Sequence, residues 1–223
     1  KGREYVLHER FAYNNLKEIR QKATTMGIAL PLADNLSILS SPLTAGKTIF
    51  SNRLAIQPME GCDGTADGGP DELSVRRYHR FARSGAGLIW AEATAVRPEG
   101  RANPRQWMIT KDNLDDFKRL VEDVRQIALT ETGVQPVLML QLTHSGRYSK
   151  PDGVPAPLIT RHNPLFEKTN PIDDSRIVTD EYLKELPEAF ARSARLACLA
   201  GFDGVDVKAC HGYLMNELLA AHT

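Results

Sequence analysis

The stretch AGFDGVDVKACHGYL, residues 200–214, decides the fold. Small residues lead into a short run in which Val205 and Val207 alternate with polar residues, a pattern typical of a β-strand with one apolar face. A lysine, a cysteine, a histidine and a tyrosine follow within the next few positions. We therefore predict a largely buried strand that presents proton-carrying side chains at its carboxyl end.

A second stretch of the same kind, SGAGLIWAEA at residues 84–93, indicates a repeated unit. Each run follows a segment with helical spacing of apolar residues. Before residue 200, one apolar helix face is formed by Leu183, Leu186, Phe190, Ala194 and Ala197. Thr179, with acidic residues after it, predicts the start of that helix. Pro187 lies inside it and predicts a kink or a delayed start.

Strands and helices alternate along the chain, an order that favours βα units around a parallel sheet. The pattern predicts strands near 53–58, 86–92, 137–142 and 203–208, and helices near 13–24, 71–84, 112–130 and 180–200.

Two α/β architectures fit this order, an open doubly wound sheet and a closed barrel. A dinucleotide-binding doubly wound sheet requires G-x-G-x-x-G after its first strand, whereas EGCDGTADGG (60–69) lacks that spacing. AGKT (45–48) does not complete a phosphate-binding loop, because Ser41 stands where the first glycine belongs. Polar residues follow each predicted strand, as in a (βα)8 TIM barrel. We therefore predict a barrel.

The four predicted strands make only half of an eight-stranded barrel, which usually needs about 250 residues. We expect the chain to hold the first four strands or so, as the front portion of a larger protein. Residues 1–40 are predicted to be an N-terminal extension and residues 41–223 the barrel part. Residues 147–178 are rich in Pro, Asp and Asn, which predicts a lid-like insertion over the barrel mouth or, alternatively, a disordered surface segment.

The composition is that of an ordinary globular protein, with 42% hydrophobic and 25% charged residues. Twenty-eight basic residues balance twenty-eight acidic ones, so we expect neither nucleic acid nor a membrane surface as a partner. No apolar run approaches the ~20 residues that span a bilayer. The N-terminus has no apolar segment of a signal peptide. Cys62, Cys198 and Cys210 fit neither a disulfide framework nor a metal site, so we predict a cytoplasmic protein without a bound metal.

Four motifs resemble, in order and spacing, the old yellow enzyme family of flavin-dependent ene-reductases, which includes dienoyl-thioester and bile-acid or steroid reductases. They are RLAIQPM (53–59), GLIWAEATAVRPEGR (87–101), QLTHSGR (141–147) and HGYL (211–214). The resemblance covers residues 38–223. It implies a TIM barrel that holds FMN at its mouth, with NADH or NADPH as the electron donor. An iron–sulfur cluster would belong only to a part that follows residue 223.

The resemblance also implies a set of cofactor-binding residues: Gln57, Pro58, Met59, Glu60, Ala93 and Gln141. Gln141 matches the glutamine that binds the pyrimidine edge of the flavin, and its amide offers both a donor and an acceptor. Glu60 departs from the Cys or Thr common in the family. A carboxylate near flavin N5 disfavours electron density on the ring, so we expect a lowered flavin potential. His144, beside Gln141 in the motif, is expected to brace a loop.

Catalytic residues are implied at the end of the fourth strand, where the family has His-x-x-His or His-x-x-Asn before Gly-Tyr. His211 and Tyr213 match the second and third places, whereas Lys208 replaces the first histidine. We expect Lys208 and His211 to polarise the carbonyl of the substrate, and Tyr213 to donate a proton to its α-carbon. Cys62 is a further candidate for contact with the substrate.

Structural alternatives stay open for each of these residues. Lys208 can pair with an acid such as Asp206 or Glu92. His211 can be a structural histidine, and Tyr213 can simply pack against the cofactor.

The sequence thus predicts an FMN-dependent oxidoreductase that passes hydride from NAD(P)H, through flavin N5, to an activated C=C bond of a small molecule such as an enone or an enoyl thioester. Two alternatives remain. A lysine at the end of a barrel strand also suits a Schiff-base aldolase or lyase, and the chain can be a non-catalytic flavin-binding scaffold. The sequence does not decide between a monomer and a homo-oligomer.

Overall fold

The computed structural model describes residues 9–220. The predictions that concern the charged start of the chain and its last residues lie in part outside that range. The chain divides into two compact units at the Ile38–Leu39 bond. In the first unit, helix α1 (Leu16–Thr25) is capped by Asn15, whose side chain accepts the Glu18 N–H. The helix predicted near 13–24 is therefore confirmed.

The second unit begins with an antiparallel hairpin that the sequence pattern did not predict. Strands β1 (Leu43–Ala45) and β2 (Thr48–Phe50) pair through a tight turn. Gly46 lies in that turn with φ 60°, a left-handed conformation that glycine adopts without steric cost. AGKT therefore forms a hairpin turn, which agrees with its rejection as a phosphate-binding loop.

Four parallel strands form the main sheet in the order β3 (Ala55–Ile56), β4 (Leu88–Ala95), β5 (Val137–Thr143) and β6 (Gly204–Val207). The pairing joins Ile56 to Ile89, and Gln141 to Asp206. All four predicted strands are confirmed, although β3 is short. The prediction that β6 is largely buried is wrong: Val207 is 45% exposed, because β6 is an edge strand of the sheet that the described residues form. Because the strands run in parallel, their carboxyl ends lie at one edge of the sheet.

Helices α2 (Glu72–Ala82), α3 (Leu114–Thr132) and α4 (Asp180–Ala200) connect the strands, and α5 (Leu214–Leu219) follows β6. Thr179 caps α4 by accepting the Tyr182 N–H, as predicted. The delayed start inferred from Pro187 is wrong, since α4 begins at Asp180 and contains the proline. The threonine cap and the acidic first turn fix the helix start upstream of the proline.

An apolar core lies between the sheet and the helices that cover it. The Tyr78 and Trp107 rings stack at 5.0 Å, and Phe117 meets Trp107 edge to face at 5.3 Å. Trp107, Phe117 and Leu140 are fully buried. This packing holds α2 and α3 against the sheet. Among residues 9–220, no helix is long and apolar enough to cross a membrane.

The insertion at residues 147–178 has only short helical turns and one bridge, in which fully buried Ile159 pairs with Ile177. Its first residue, Arg147, is buried and bonds two acids. The guanidinium donates to Glu167 within the insertion and to Glu217 on α5, each at 2.6 Å. These bonds join the insertion to the segment after β6. A lid function for the insertion stays a prediction.

Candidate functional site

Titratable and amide side chains gather at the carboxyl edge of the sheet, as the barrel prediction requires. They come from four consecutive strands or the loops that follow them: Glu60 after β3, Glu92 on β4, Gln141 on β5, and Lys208 and Tyr213 after β6. The structure therefore brings together residues that lie more than 150 positions apart.

The loop after β3 is partly exposed at residues 57–60, and hydrogen bonds to the backbone of Met59 and Gly61 fix its position. Met59 is 70% exposed, and its carbonyl accepts a hydrogen bond from Arg77 Nη1 at 3.1 Å. The N–H of Gly61 donates to Glu92 Oε2 at 2.7 Å. Glu60 thus lies between two anchored neighbours, while Gln57 and Met59 remain open to a ligand.

Arg77 on α2 forms hydrogen bonds with two acids next to this loop. Its Nη2 donates to Asp63 at 2.7 Å and to Glu92 at 2.8 Å. Glu92 is 1% exposed, and burial raises the pKa of its carboxyl against the opposing effects of the Gly61 N–H and Arg77. The backbone N–H of Glu92 donates to Tyr78 Oη at 2.8 Å. Sequence reasoning missed Arg77, since nothing in the run RRYHR distinguishes it from its neighbours until α2 packs on the sheet.

The Glu60 carboxyl is the least satisfied acid of the site. Its Oε1 is buried and has no hydrogen-bond partner among the described residues. Burial raises the pKa of Glu60 to about 7, with Lys208 acting to lower it and Glu92 to raise it. A carboxyl with this pKa exchanges its proton near neutral pH.

Gln141 is buried and held by its neighbour on β6. Its Nε2 donates to Asp206 Oδ2 at 2.7 Å, across the pairing of the two strands. The bond uses one amide N–H and fixes the orientation of the side chain. The second N–H and the carbonyl oxygen are left for a ligand that shows an acceptor and a donor side by side. Asp206 therefore contributes to the site by orienting Gln141, whereas the sequence suggested it only as an ion-pair partner of Lys208.

Lys208 reaches into the site and lies against Tyr213. The side chain is buried, and its Nζ lies 4.5 Å from the centre of the Tyr213 ring, a cation–π contact. Within residues 9–220, Lys208 forms no ion pair with Asp206 or Glu92. Both Glu92 oxygens and Asp206 Oδ2 bind other groups. The salt-bridge alternative is therefore not what the structure shows. Its ammonium is available to an oxygen of a ligand.

Tyr213 is half-buried beside Lys208. Burial raises the pKa of its phenol to about 12, and the charge of Glu60 adds to this effect. The phenol is therefore neutral at physiological pH and carries a proton that it can donate.

His211 and Cys62 share an unusual backbone conformation, with φ of 62° and 51°. Few non-glycine residues adopt this region, and those that do are often found at functional sites. His211 is exposed, with its ring edge to face against Tyr213 at 6.2 Å. Cys62 is exposed and its Sγ lies 3.1 Å from Asn103 Nδ2. Both residues line the open side of the site, and their predicted contact with substrate stays a prediction.

Two residues of the motifs, Ala93 and His144, are fully buried and form hydrogen bonds with neighbouring residues. Ala93 is fully buried, and its carbonyl accepts from Gln106 Nε2 at 3.0 Å; its predicted place beside a cofactor stays a prediction. His144 is also fully buried, with Nδ1 accepting from the Gly146 N–H at 3.1 Å and Nε2 lying 2.7 Å from Tyr182 Oη. Burial lowers its pKa to about 4. His144 therefore braces a loop, as expected. Within the described range, no cluster of three metal-ligating side chains occurs.

Comparisons with known proteins agree with this geometry. Residues 39–223 match the NADH:flavin oxidoreductase / NADH oxidase family. The NADPH dehydrogenase of Geobacillus sp. (strain WCH70) is 35% identical over 193 residues, which cover 82% of this chain and 51% of the relative. The chain thus spans about half the length of the curated relatives it matches.

Solved structures of an old yellow enzyme and of a morphinone reductase have the same fold as this chain. The old yellow enzyme from Pichia sp. AKU4542 superposes with a TM-score of 0.65 at 26% identity, covering 83% of this chain and 49% of that one. A morphinone reductase variant in complex with tetrahydroNAD gives a TM-score of 0.65 at 28% identity, covering 80% and 50%. The resemblance to old yellow enzymes and the predicted barrel class are both confirmed.

Proposed function

This chain belongs to the NADH:flavin oxidoreductase / NADH oxidase family, and from that premise we propose that the full-length protein is an FMN-dependent oxidoreductase. It uses NADH or NADPH to reduce an activated C=C bond, as in an enone or an enoyl thioester. The observation that carries the proposal is the convergence of Gln141, Lys208 and Tyr213 at the carboxyl edge of the sheet.

The residues of the site fit FMN. The free N–H and carbonyl oxygen of Gln141 complement a ring edge that shows an acceptor beside a donor. Among the described residues, buried side-chain oxygens without a hydrogen-bond partner occur on the same edge at Thr143, after the β5 glutamine, and at Glu60. Buried polar atoms without partners are rare in proteins, so these atoms support a polar ligand. When bound, FMN supplies the hydride chemistry that amino-acid side chains lack.

Lys208 and His211 are proposed to bind the oxygen of the substrate's activating group. As hydride reaches the β-carbon of the alkene, negative charge develops on this oxygen. A buried ammonium without an ion pair stabilises that charge strongly, because the surroundings screen it less than water does. Lys208 meets this requirement within residues 9–220.

Tyr213 is proposed to donate the proton that completes the reduction at the α-carbon. Because its pKa is raised, the phenol is protonated when substrate binds and can donate its proton to the α-carbon. The Lys208 ammonium beside the ring favours the transfer, since it stabilises the phenolate that forms.

The test uses full-length protein, NADPH, and either a cyclic enone or an enoyl thioester under anaerobic conditions. We expect alkene-dependent NADPH oxidation with formation of the saturated product. Tyr213→Phe should slow alkene reduction about 10²-fold and leave NADPH oxidation by another electron acceptor unchanged. If neither alkene accelerates NADPH oxidation, the proposed substrate class is wrong. If borohydride with a carbonyl substrate traps Lys208 covalently, the Schiff-base alternative replaces the proposal.

A further inference from the structure

Tyr182 joins three segments of the carboxyl edge through its hydroxyl group. It lies in the first turn of α4. The hydroxyl lies 2.7 Å from Nε2 of His144, which follows β5, and donates to Oε1 of Glu99, which follows β4, at 2.9 Å. The contact with His144 closes the base of the insertion at 147–178, because the insertion lies between these two residues in the sequence. The proposed reaction assigns a role to none of the three side chains.

The hydrogen bonds between these groups run in a single direction. The Gly146 N–H donates to Nδ1 of His144 at 3.1 Å, so Nδ1 is an acceptor and the ring proton lies on Nε2. Nε2 therefore donates to the Tyr182 hydroxyl, whose own proton goes to the Glu99 carboxylate. Arg97 Nε lies 2.6 Å from the same oxygen of Glu99, and its positive charge favours the carboxylate. The groups satisfy one another only with His144 in this tautomer.

Two glycines allow the close packing around His144. A Cβ on Gly100 would lie 2.7 Å from Cδ2 of the imidazole, and a Cβ on Gly146 would lie 2.6 Å from the backbone nitrogen of Leu214. Gly146 also has φ 56°, which glycine adopts without steric cost. His144 is fully buried, so a movement of its ring has to move these neighbours as well.

His144 in turn fixes the backbone on one side of Tyr213. Its carbonyl accepts the N–H of Leu214, the first residue of α5, at 3.2 Å. On the other side, the Gly212 N–H donates to Asn216 Oδ1 at 2.8 Å. Tyr213 lies between these two anchored residues. A displacement of His144 therefore reaches the backbone next to Tyr213 through one hydrogen bond.

We propose that Tyr182 is a positioning residue for alkene reduction, which acts through His144 to hold the Tyr213 phenol where it protonates the α-carbon. The inference rests on the proposed function of Tyr213. The Tyr182 hydroxyl fixes the imidazole, and the His144 carbonyl fixes the start of α5. Proton transfer requires the donor within hydrogen-bond reach of the carbon, so a small displacement of the phenol slows it steeply.

The first experiment removes only the Tyr182 hydroxyl, in the full-length holoenzyme. In Tyr182→Phe, the buried imidazole loses the acceptor of its Nε2 proton, and we expect the maximal rate at which a cyclic enone reoxidises the reduced enzyme to fall about tenfold. The enone concentration that gives half of this rate, and the reduction of the flavin by NADPH, should stay within about twofold of the parent. An unchanged maximal rate overturns the proposal, and so does an equal loss in both half-reactions.

The matched control is Tyr13→Phe. It also removes a tyrosine hydroxyl that donates to a glutamate, here Glu9, but in the first compact unit of the chain. We expect both half-reactions of this variant to run at the parental rates. A loss equal to that of Tyr182→Phe overturns the proposal, because it shows that the effect does not depend on the contact with His144.

A second pair of variants tests the other end of the hydrogen-bond chain. Glu99→Gln keeps an oxygen that can accept from Tyr182, so the enone rate should stay within about threefold of the parent. Glu99→Leu removes the acceptor and should reproduce the loss of about tenfold expected for Tyr182→Phe. If the two variants have equal rates, the hydrogen bond to Glu99 does not matter and the chain is overturned.

A double-mutant cycle tests whether Tyr182 acts through Tyr213. Adding Tyr182→Phe to Tyr213→Phe should slow enone reduction by less than about twofold more, because the group that Tyr182 positions is already absent. A further loss of about tenfold in the double variant shows that Tyr182 acts elsewhere, and it overturns the inference alone. A Tyr213→Phe variant with the parental enone rate overturns the proposed function, and the inference with it.

A measurement without flavin or substrate tests the hydrogen bonds themselves. Nitrogen NMR of full-length protein with isotope-labelled histidine reports which ring nitrogen of His144 carries the proton. We expect it on Nε2 at neutral pH, with resonances that shift in Tyr182→Phe and persist in Tyr13→Phe. A proton on Nδ1, or a His144 signal that Tyr182→Phe leaves unchanged, would overturn the proposal.

Discussion

At the scale of single residues, two side chains set this site apart from the family pattern. Lys208 replaces a histidine of the motif, and Glu60 replaces the usual Cys or Thr. The structure places the two near each other, since the charge of Lys208 acts to lower the pKa of Glu60 against the effect of burial. An imidazole and a small neutral side chain have thus been exchanged for an ammonium and an acid of raised pKa.

The first prediction concerns Lys208. In Lys208→Ala, we expect alkene reduction to fall about 10²-fold or more, because the developing charge on the substrate oxygen loses its cation. Reduction of the flavin by NAD(P)H should survive, since that half-reaction does not involve the alkene. Stopped-flow spectroscopy of the two half-reactions measures both, with Lys184→Ala on the exposed face of α4 as the control. Equal loss in both half-reactions refutes the role of Lys208.

The second prediction concerns Glu60 and stability. Its pKa rises from the ordinary 4.5 to about 7 in the folded protein, so the folded state binds the proton more tightly than the unfolded state. The resulting stability is present below pH 4.5 and is lost as the pH rises through about 7. Glu60→Gln should therefore raise the free energy of unfolding by roughly 1–3 kcal/mol at pH 8.5 relative to its effect at pH 4.5. Urea unfolding at the two pH values measures this, and a pH-independent difference contradicts it.

The third prediction concerns Gln141 and Asp206. Because Asp206 fixes the Gln141 amide at 2.7 Å, Asp206→Ala should let the amide rotate and weaken FMN binding about tenfold. Gln141→Leu should weaken binding further, since it removes both hydrogen bonds that we propose to form with the ring edge. Fluorescence titration of flavin-free protein with FMN gives the affinities. If Asp206→Ala binds FMN as tightly as the parent protein, the hydrogen bond between Gln141 and Asp206 forms only in the absence of FMN.

At the scale of elements, much of the fold follows from local pattern. Thr179 marked the start of α4, and the alternation of Val205 and Val207 marked β6, because capping and period-two spacing are local properties. The β1–β2 hairpin escaped prediction, since its strands have only three residues each. Arg77 and Asp206 also escaped, because their partners come from other elements and only the folded sheet brings them into contact.

The fourth prediction concerns the insertion at 147–178. Arg147→Met removes the buried cation between Glu167 and Glu217, two partly buried acids that no longer share a guanidinium partner. Local opening of the insertion should become easier, with proteolytic cleavage inside it about tenfold faster. Limited proteolysis of folded full-length protein measures the rate. Arg176→Met, at an exposed position in the same insertion, should leave it unchanged, and equal rates for parent and Arg147→Met contradict the prediction.

At the scale of the whole molecule, the chain supplies four adjacent strands of a barrel whose relatives are about twice as long. The carboxyl edge of these strands carries the residues that we propose to bind the ring of FMN and the alkene. Family membership and this geometry together support flavin chemistry as the function of the full-length protein. That claim is central, because every proposed role of Lys208, Tyr213 and Glu60 depends on a flavin at this edge.

The most direct test is an anaerobic titration of purified full-length protein with NADPH and NADH, followed by addition of an enone. We predict that the protein binds FMN, that a nicotinamide cofactor bleaches the yellow absorbance band, and that the enone restores it. A full-length protein that neither retains nor takes up FMN would contradict the account, and so would bound FMN that nicotinamide cofactors fail to bleach.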